Sequence, residues 1–197
     1  MQLARPGSSC VAAARCGGNA VASEGFDPVR MLTALQEAGV RFVLVGGMAA
    51  ILHGDVSVTI DIDIVPEREP ENLDRLAIAL RALGARIRAS GEPEGLPFDC
   101  SSAFFRNLAP DSILNLTTKA GDLDLAFRPS GTEGYSDLRR DAVEIEAEDG
   151  VRILVASLAD VIRSKEAAGR EKDRVALPRL RRLLDRTRRE EPEDAGR

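Results

Sequence analysis

Two aspartates, Asp61 and Asp63, stand one residue apart in "VTIDIDIVP", residues 58–66, a run that is otherwise apolar and β-branched. Such a run favours a strand, and aspartate is depleted from strands unless something compensates its charge. On a strand, residues i and i+2 face the same way, with Cα atoms about 7 Å apart. Asp61 and Asp63 are therefore expected to project from one face, and Ile60, Ile62 and Ile64 from the other, into a core. Two carboxylates that close resist joint ionisation unless a cation lies between them. Mg²⁺ fits, because it takes carboxylate oxygens together with substrate phosphates. One or two such ions on a rigid strand would serve phosphoryl transfer.

Three further features point the same way. Gly46-Gly47 follows the apolar run "RFVLV" and precedes a helical stretch, where bare backbone can approach a phosphate. "GDLDLAF" carries a second pair of carboxylates, Asp122 and Asp124, with Asp124 set between Leu123 and Leu125. "RSKEAAGREKDR" supplies Lys165, within reach of a triphosphate, then Arg170, Lys172 and Arg174. Each feature alone has a plain structural explanation: a turn, a wet strand face, a solvated helix.

The elements that must position these residues can be read from pattern. Asp27 caps and Pro28 opens a helix in "FDPVRMLTALQEAG"; "RFVLV" is a buried strand, "MAAILHG" a short helix, and "VTIDIDIV" a strand. "EPENLDRLAIALRALG" is an amphipathic helix. "AFFRN", "SILNLTT" and "GDLDLAF" read as strands, "EGYSDLRRDA" as a short helix, and "VEIEA" and "VRILVA" as a hairpin about Asp149-Gly150. Ser157 caps a helix that Gly169 interrupts; another begins near Glu171, with Pro178 bending it or starting a third. This order predicts an α+β fold, a mixed sheet flanked by helices with a helical C-terminal third. The expected organisation is an extension over 1–25, a sheet domain over 26–156, a helical part over 157–190 that closes the cleft, and a tail over 191–197.

The 197 residues carry a net charge of −5, which excludes a generally basic nucleic-acid binder. Between Arg163 and Arg189, however, 11 Lys/Arg face 4 Asp/Glu, a surplus of 11 − 4 = 7 that can hold a polyanion. Three cysteines, Cys10, Cys16 and Cys100, form no zinc or disulfide pattern and suit a cytoplasmic location. No apolar run is long enough to span a bilayer, so no membrane partner is expected. The single histidine, His53, reads as structural.

"VGGMAAILHG" followed by "VTIDIDIV" resembles the nucleotidyltransferase fold of the DNA polymerase β type, and most closely the AbiEii/MenT toxin–antitoxin nucleotidyltransferases. The resemblance covers about residues 40 to 185. It implies Mg²⁺-dependent transfer of a nucleoside monophosphate from an NTP to the 3′ end of tRNA, under restraint by a cognate antitoxin protein. It implies metal binding by Asp61, Asp63 and Asp124, and nucleotide contacts from Gly46, Gly47, Thr59 and Lys165. Asp173 would position Lys165. Ser57 stands where related proteins often carry an arginine, and Arg170 is the expected substitute. Arg174, Arg179, Arg181 and Arg182 would hold the RNA backbone. The main alternative is the same chemistry on a small-molecule or protein acceptor; a non-catalytic binding module would have little reason to keep Asp61, Asp63, Asp124 and Lys165 together.

Overall fold

The computed structural model describes residues 25–146 and 152–190. The expected tail and nearly all of the expected extension, with Cys10, Cys16 and the Asp149-Gly150 turn, lie outside the described residues. In chain order the elements are α1 (Pro28–Glu37), β1 (Phe42–Val45), α2 (Gly46–Leu52), β2 (Asp61–Pro66), α3 (Pro70–Ala82), β3 (Arg86–Ala89), β4 (Glu92–Leu96) and α4 (Ser102–Asn107). There follow β5 (Ile113–Thr118), β6 (Gly121–Ala126), α5 (Tyr135–Arg140), β7 (Val143–Glu146), β8 (Arg152–Val155), α6 (Leu158–Ala168) and α7 (Glu171–Glu190). The strands form one mixed sheet in the order β4-β3-β5-β6-β2-β1-β8-β7. The architecture is the expected α+β, with α6 and α7 forming the helical C-terminal part.

Register places the carboxylates. β2 pairs in parallel with β6, matching Asp61 with Asp122 and Asp63 with Asp124. Strands in register share their faces, so all four aspartates lie on one side of the sheet. The alternate residues Ile62, Ile64, Leu123 and Leu125 are fully buried on the other side. There α3 packs against β2, and α1 and α4 pack against α3. Burying each such side chain contributes roughly 1.5–3 kcal/mol, which keeps the register from slipping.

Local signals set the helix ends. Asp27 accepts from Arg30 N, Ser157 accepts from Asp160 N, and Gly169 closes α6 in the left-handed conformation at φ 60°. The sole histidine, His53, is hydrogen-bonded at 2.8 Å to the Ala156 carbonyl, a structural contact.

Several elements differ from the sequence expectation. β2 begins at Asp61, not Val58, and Ile60 is 63% exposed, outside the core. β1 ends at Val45, opposite Asp63, and the chain then turns into α2, so the residues before Asp61 have no β1 neighbour to pair with. "AFFRN" is the helix α4, not a strand; Ser101 caps it by accepting from Phe104 N at 3.2 Å. Phe105 is buried there, edge-on to Phe98 and Phe104. Pro178 starts no third helix, since α7 runs unbroken through it. The β3–β4 hairpin lies in a stretch to which the sequence pattern assigned no element.

Candidate functional site

The aspartate face of the sheet, α2 and the α6–α7 pair enclose a cleft of about 650 Å³. It is lined by Gly46, Gly47, Thr59, Asp61, Asp63, Asp124, Lys165 and Arg170, residues drawn from four elements and two loops. Asp173 lies beneath this surface. Of the four arginines expected to hold RNA, Arg179 lines the cleft and Arg174, Arg181 and Arg182 do not.

The two glycines are required by close approach. Gly46 has φ +72°, and a Cβ placed on it would fall 1.9 Å from Asp63 Oδ2. A Cβ on Gly47 would fall 2.8 Å from the Thr59 hydroxyl. The nearby Gly47 N–H lowers the pKa of Asp63. The glycine turn therefore seats an aspartate. Thr59 donates its hydroxyl to Asp61 Oδ1 at 2.7 Å, which fixes the direction of that carboxylate.

The charges on this face are unbalanced. Burial, with Asp61 and Asp124 nearby, pushes Asp63 up to about 6 against the opposing pull of the Gly47 N–H and Lys172. Burial likewise raises Asp124, with Asp61 and Asp122 adding to it and Arg88 opposing. Crowded carboxylates of this kind are a donor set that suits a divalent cation. Among the described residues, though, no group of three or more His, Cys, Asp or Glu side chains is already arranged to hold an ion. Asp124 is occupied by protein. Arg88 on β3 grips it at 2.6 Å and Asp122 at 2.5 Å. Asn115, with its amide NH₂ turned toward Asp124, donates to both oxygens at 3.2 and 3.1 Å.

The opposite wall is cationic and built on a buried acid. Asp173 is fully buried and accepts from Lys165 Nζ at 3.1 Å and Arg170 Nε at 2.7 Å. Burial raises its pKa, but these two partners outweigh burial and hold it below the usual carboxylate range. Lys172 also lines this wall. Arg179 forks onto Asp55, with Nε to Oδ1 and Nη2 to Oδ2 at 3.0 Å, while Ser57 donates to the same carboxylate at 2.6 Å. Arg181 pairs with Glu166 at 2.7 Å, Arg174 reaches Glu171 at 3.5 Å, and Arg182 donates to the Pro178 carbonyl at 3.2 Å. Arg88, Asn115 and Asp55 were not singled out for the site from sequence; Lys172 was named there among the cations that follow Lys165.

No protein-family model matches the chain, and no curated protein matches it. Solved structures do. The lincosamide antibiotic adenylyltransferase LnuA, in its lincomycin-bound crystal structure, superposes with a TM-score of 0.51 over 81% of this chain and 99% of that one, at 16% identity. The fold is that of a nucleotidyltransferase. A candidate nucleotidyltransferase from Thermotoga maritima also matches, with a TM-score of 0.49 over 80% of this chain and 90% of that one, at 17% identity. Within the nucleotidyltransferase fold, this chain sets its in-register aspartates opposite a lysine- and arginine-bearing helix pair.

Proposed function

We propose that this protein is a Mg²⁺-dependent nucleotidyltransferase whose acceptor is a small hydroxyl-bearing molecule, neutral or cationic. Support comes first from the two faces of the cleft, carboxylates on one and cations on the other. Asp61 and Asp63 would hold the ion, with Asp124 beside them. The ion would neutralise phosphate charge and orient the triphosphate. Lys165, Arg170 and Lys172 bind the phosphates, and Asp173 holds Lys165 and Arg170 in place. The acceptor oxygen bonds to the α-phosphorus while the bond to the β-phosphate breaks. Its proton passes to Asp124, and pyrophosphate leaves against the cationic wall.

The observation that carries the acceptor class is the flank beyond Asp124. Cross-strand pairing sets Asn115 opposite Asp124 and Ile113 opposite Ala126. Ile113 is 56% exposed and lines the cleft with Asn115, Ala126 and Pro129. A second cavity of about 320 Å³ continues from Ile113 and Pro129, lined also by Asp111, Arg128 and Glu133. Arg128 is forked onto Asp111 at 2.6 and 2.8 Å, so one cation faces two carboxylates there. This flank is apolar to acidic. It suits a compound with an apolar side and no phosphate, and repels a polyanion. Lincomycin, which LnuA binds, is a reasonable first compound to try.

A second reading places the acceptor at the 3′ end of tRNA, with an antitoxin as partner. It draws on Arg181, Arg182, Arg186, Arg188 and Arg189, exposed along α7. Incubation with each labelled NTP, Mg²⁺, and either lincomycin or total RNA separates the two. Label in the antibiotic supports the first reading, label in RNA the second, and release of no pyrophosphate with any acceptor removes both.

A further inference from the structure

We infer that Arg88 takes the place of a second metal ion, so that the site holds one divalent cation per chain, at Asp61 and Asp63. The inference rests on the metal seat proposed above. The four aspartates form a two-by-two block, Asp61 and Asp63 on β2 beside Asp122 and Asp124 on β6. The β6 half already has its counter-charge. Arg88 reaches over from β3, beyond β5, and places one nitrogen on Asp122 at 2.5 Å and another on Asp124 at 2.6 Å. Asn115, between them on β5, adds its NH₂ to both Asp124 oxygens. Asp124 thus meets two donor nitrogens, and the Arg88 guanidinium already supplies the positive charge that a second ion would bring to it.

The β2 half differs. Asp61 receives a hydroxyl from Thr59, and among the described residues neither Asp61 nor Asp63 forms an ion pair. Both residues line the cleft. A guanidinium is well suited to replace an ion on the other half. It is planar and grips two carboxylates at once, and it stays charged at every working pH. A lysine in its place would be a single point charge and could not fork. A second divalent ion could enter only by displacing Arg88 from two ion pairs, both partly shielded from water, with side-chain exposures of 33% for Arg88 and 18% for Asp124. Asp124 is then free of metal and available to the acceptor hydroxyl.

The test counts bound Mn²⁺ by the electron paramagnetic resonance signal of the free ion, with the full chain and no nucleotide. Wild type should saturate at one ion per chain and Asp61→Asn at none. Arg88→Met, which keeps the apolar stem and removes the guanidinium, should saturate at two. Arg88→Met combined with Asp124→Asn should return to one. Two ions in the wild type, or one in a folded Arg88→Met, would overturn the inference and leave the nucleotidyltransferase reading standing. No ion in the wild type would remove the metal seat itself. Should Arg88→Met fail to fold, as far-UV circular dichroism would reveal, the wild-type count alone decides between one ion and two.

Discussion

Gly46 lies directly against the carboxyl group of Asp63, so closely that there is no room between them for a methyl group. The backbone at Gly46 is also left-handed, at φ +72°. Gly46→Ala therefore meets two penalties, backbone strain and displacement of a carboxylate. It should cost about 2–3 kcal/mol. A fall of roughly 4–12 °C in melting temperature would follow for a chain of this size. Differential scanning calorimetry measures it, and an unchanged midpoint would show that Asp63 can move aside freely.

Asp61→Asn and Lys165→Met should each lower nucleotide transfer by about 10²–10³-fold or more; Asp61→Asn should leave the melting temperature within a few degrees of wild type, whereas Lys165→Met, which takes a partner from buried Asp173, should lower it. Each removes charge that acts on the transferring phosphates, a contribution of this order elsewhere. Pyrophosphate release with saturating NTP reports it. Normal turnover in either variant would take that residue out of the reaction.

Asp173 gives a pH signature. Its folded-state pKa is depressed, so its contribution to stability is fully present above the unfolded value of about 3.9 and is lost as pH falls through the folded value. Asp173→Asn should cost about 1–3 kcal/mol at pH 7, the scale of hydrogen bonds to a charged group. The difference from wild type should shrink as pH drops below about 4. Urea unfolding at pH 7 and pH 3 measures both, and a difference that is constant with pH would contradict the assignment.

Arg179 and the Arg181/Arg182 pair should behave differently. Arg179→Ala strands Asp55, whose side chain is 2% exposed, and should destabilise the fold by about 1–3 kcal/mol. Arg181→Ala with Arg182→Ala removes exposed contacts and should change stability by no more than about 0.5 kcal/mol. If RNA is the acceptor, the double variant should also reduce the salt dependence of RNA binding by up to about two logarithmic units. A filter-binding series in salt reads this; an unchanged slope favours the small-molecule acceptor.

The sequence made some of this legible and hid the rest for physical reasons. Asp61, Asp63 and Asp124 stood out because carboxylates in apolar strand runs are costly, and both strands formed about them. Asp27, Ser157 and Gly169 act as caps because capping is local. Arg88 and Asn115 escaped notice because they meet Asp124 only through strand pairing, although the alternation in "RIRA" offered a weak strand signal. The residues from Val56 to Ile60 have strand composition but no neighbour on the β1 side, and pairing is not local. In "AFFRN" the short apolar run fits either element; the decisive signal was Ser101, three residues before Phe104. Arg179 and Asp55 lie 124 positions apart, so no local pattern announces their pairing.

That separation has a consequence for the order of events during synthesis. As the chain leaves the ribosome from its N-terminus, the sheet can assemble its block of acids well before α7 exists. A cleft in that state has its acids and only part of its cationic wall, Lys165 on α6. When α7 docks, it brings Lys172 and the clamp of Arg179 on Asp55 and completes the cationic wall. On the function proposed above, half-made chains would thus hold a triphosphate poorly.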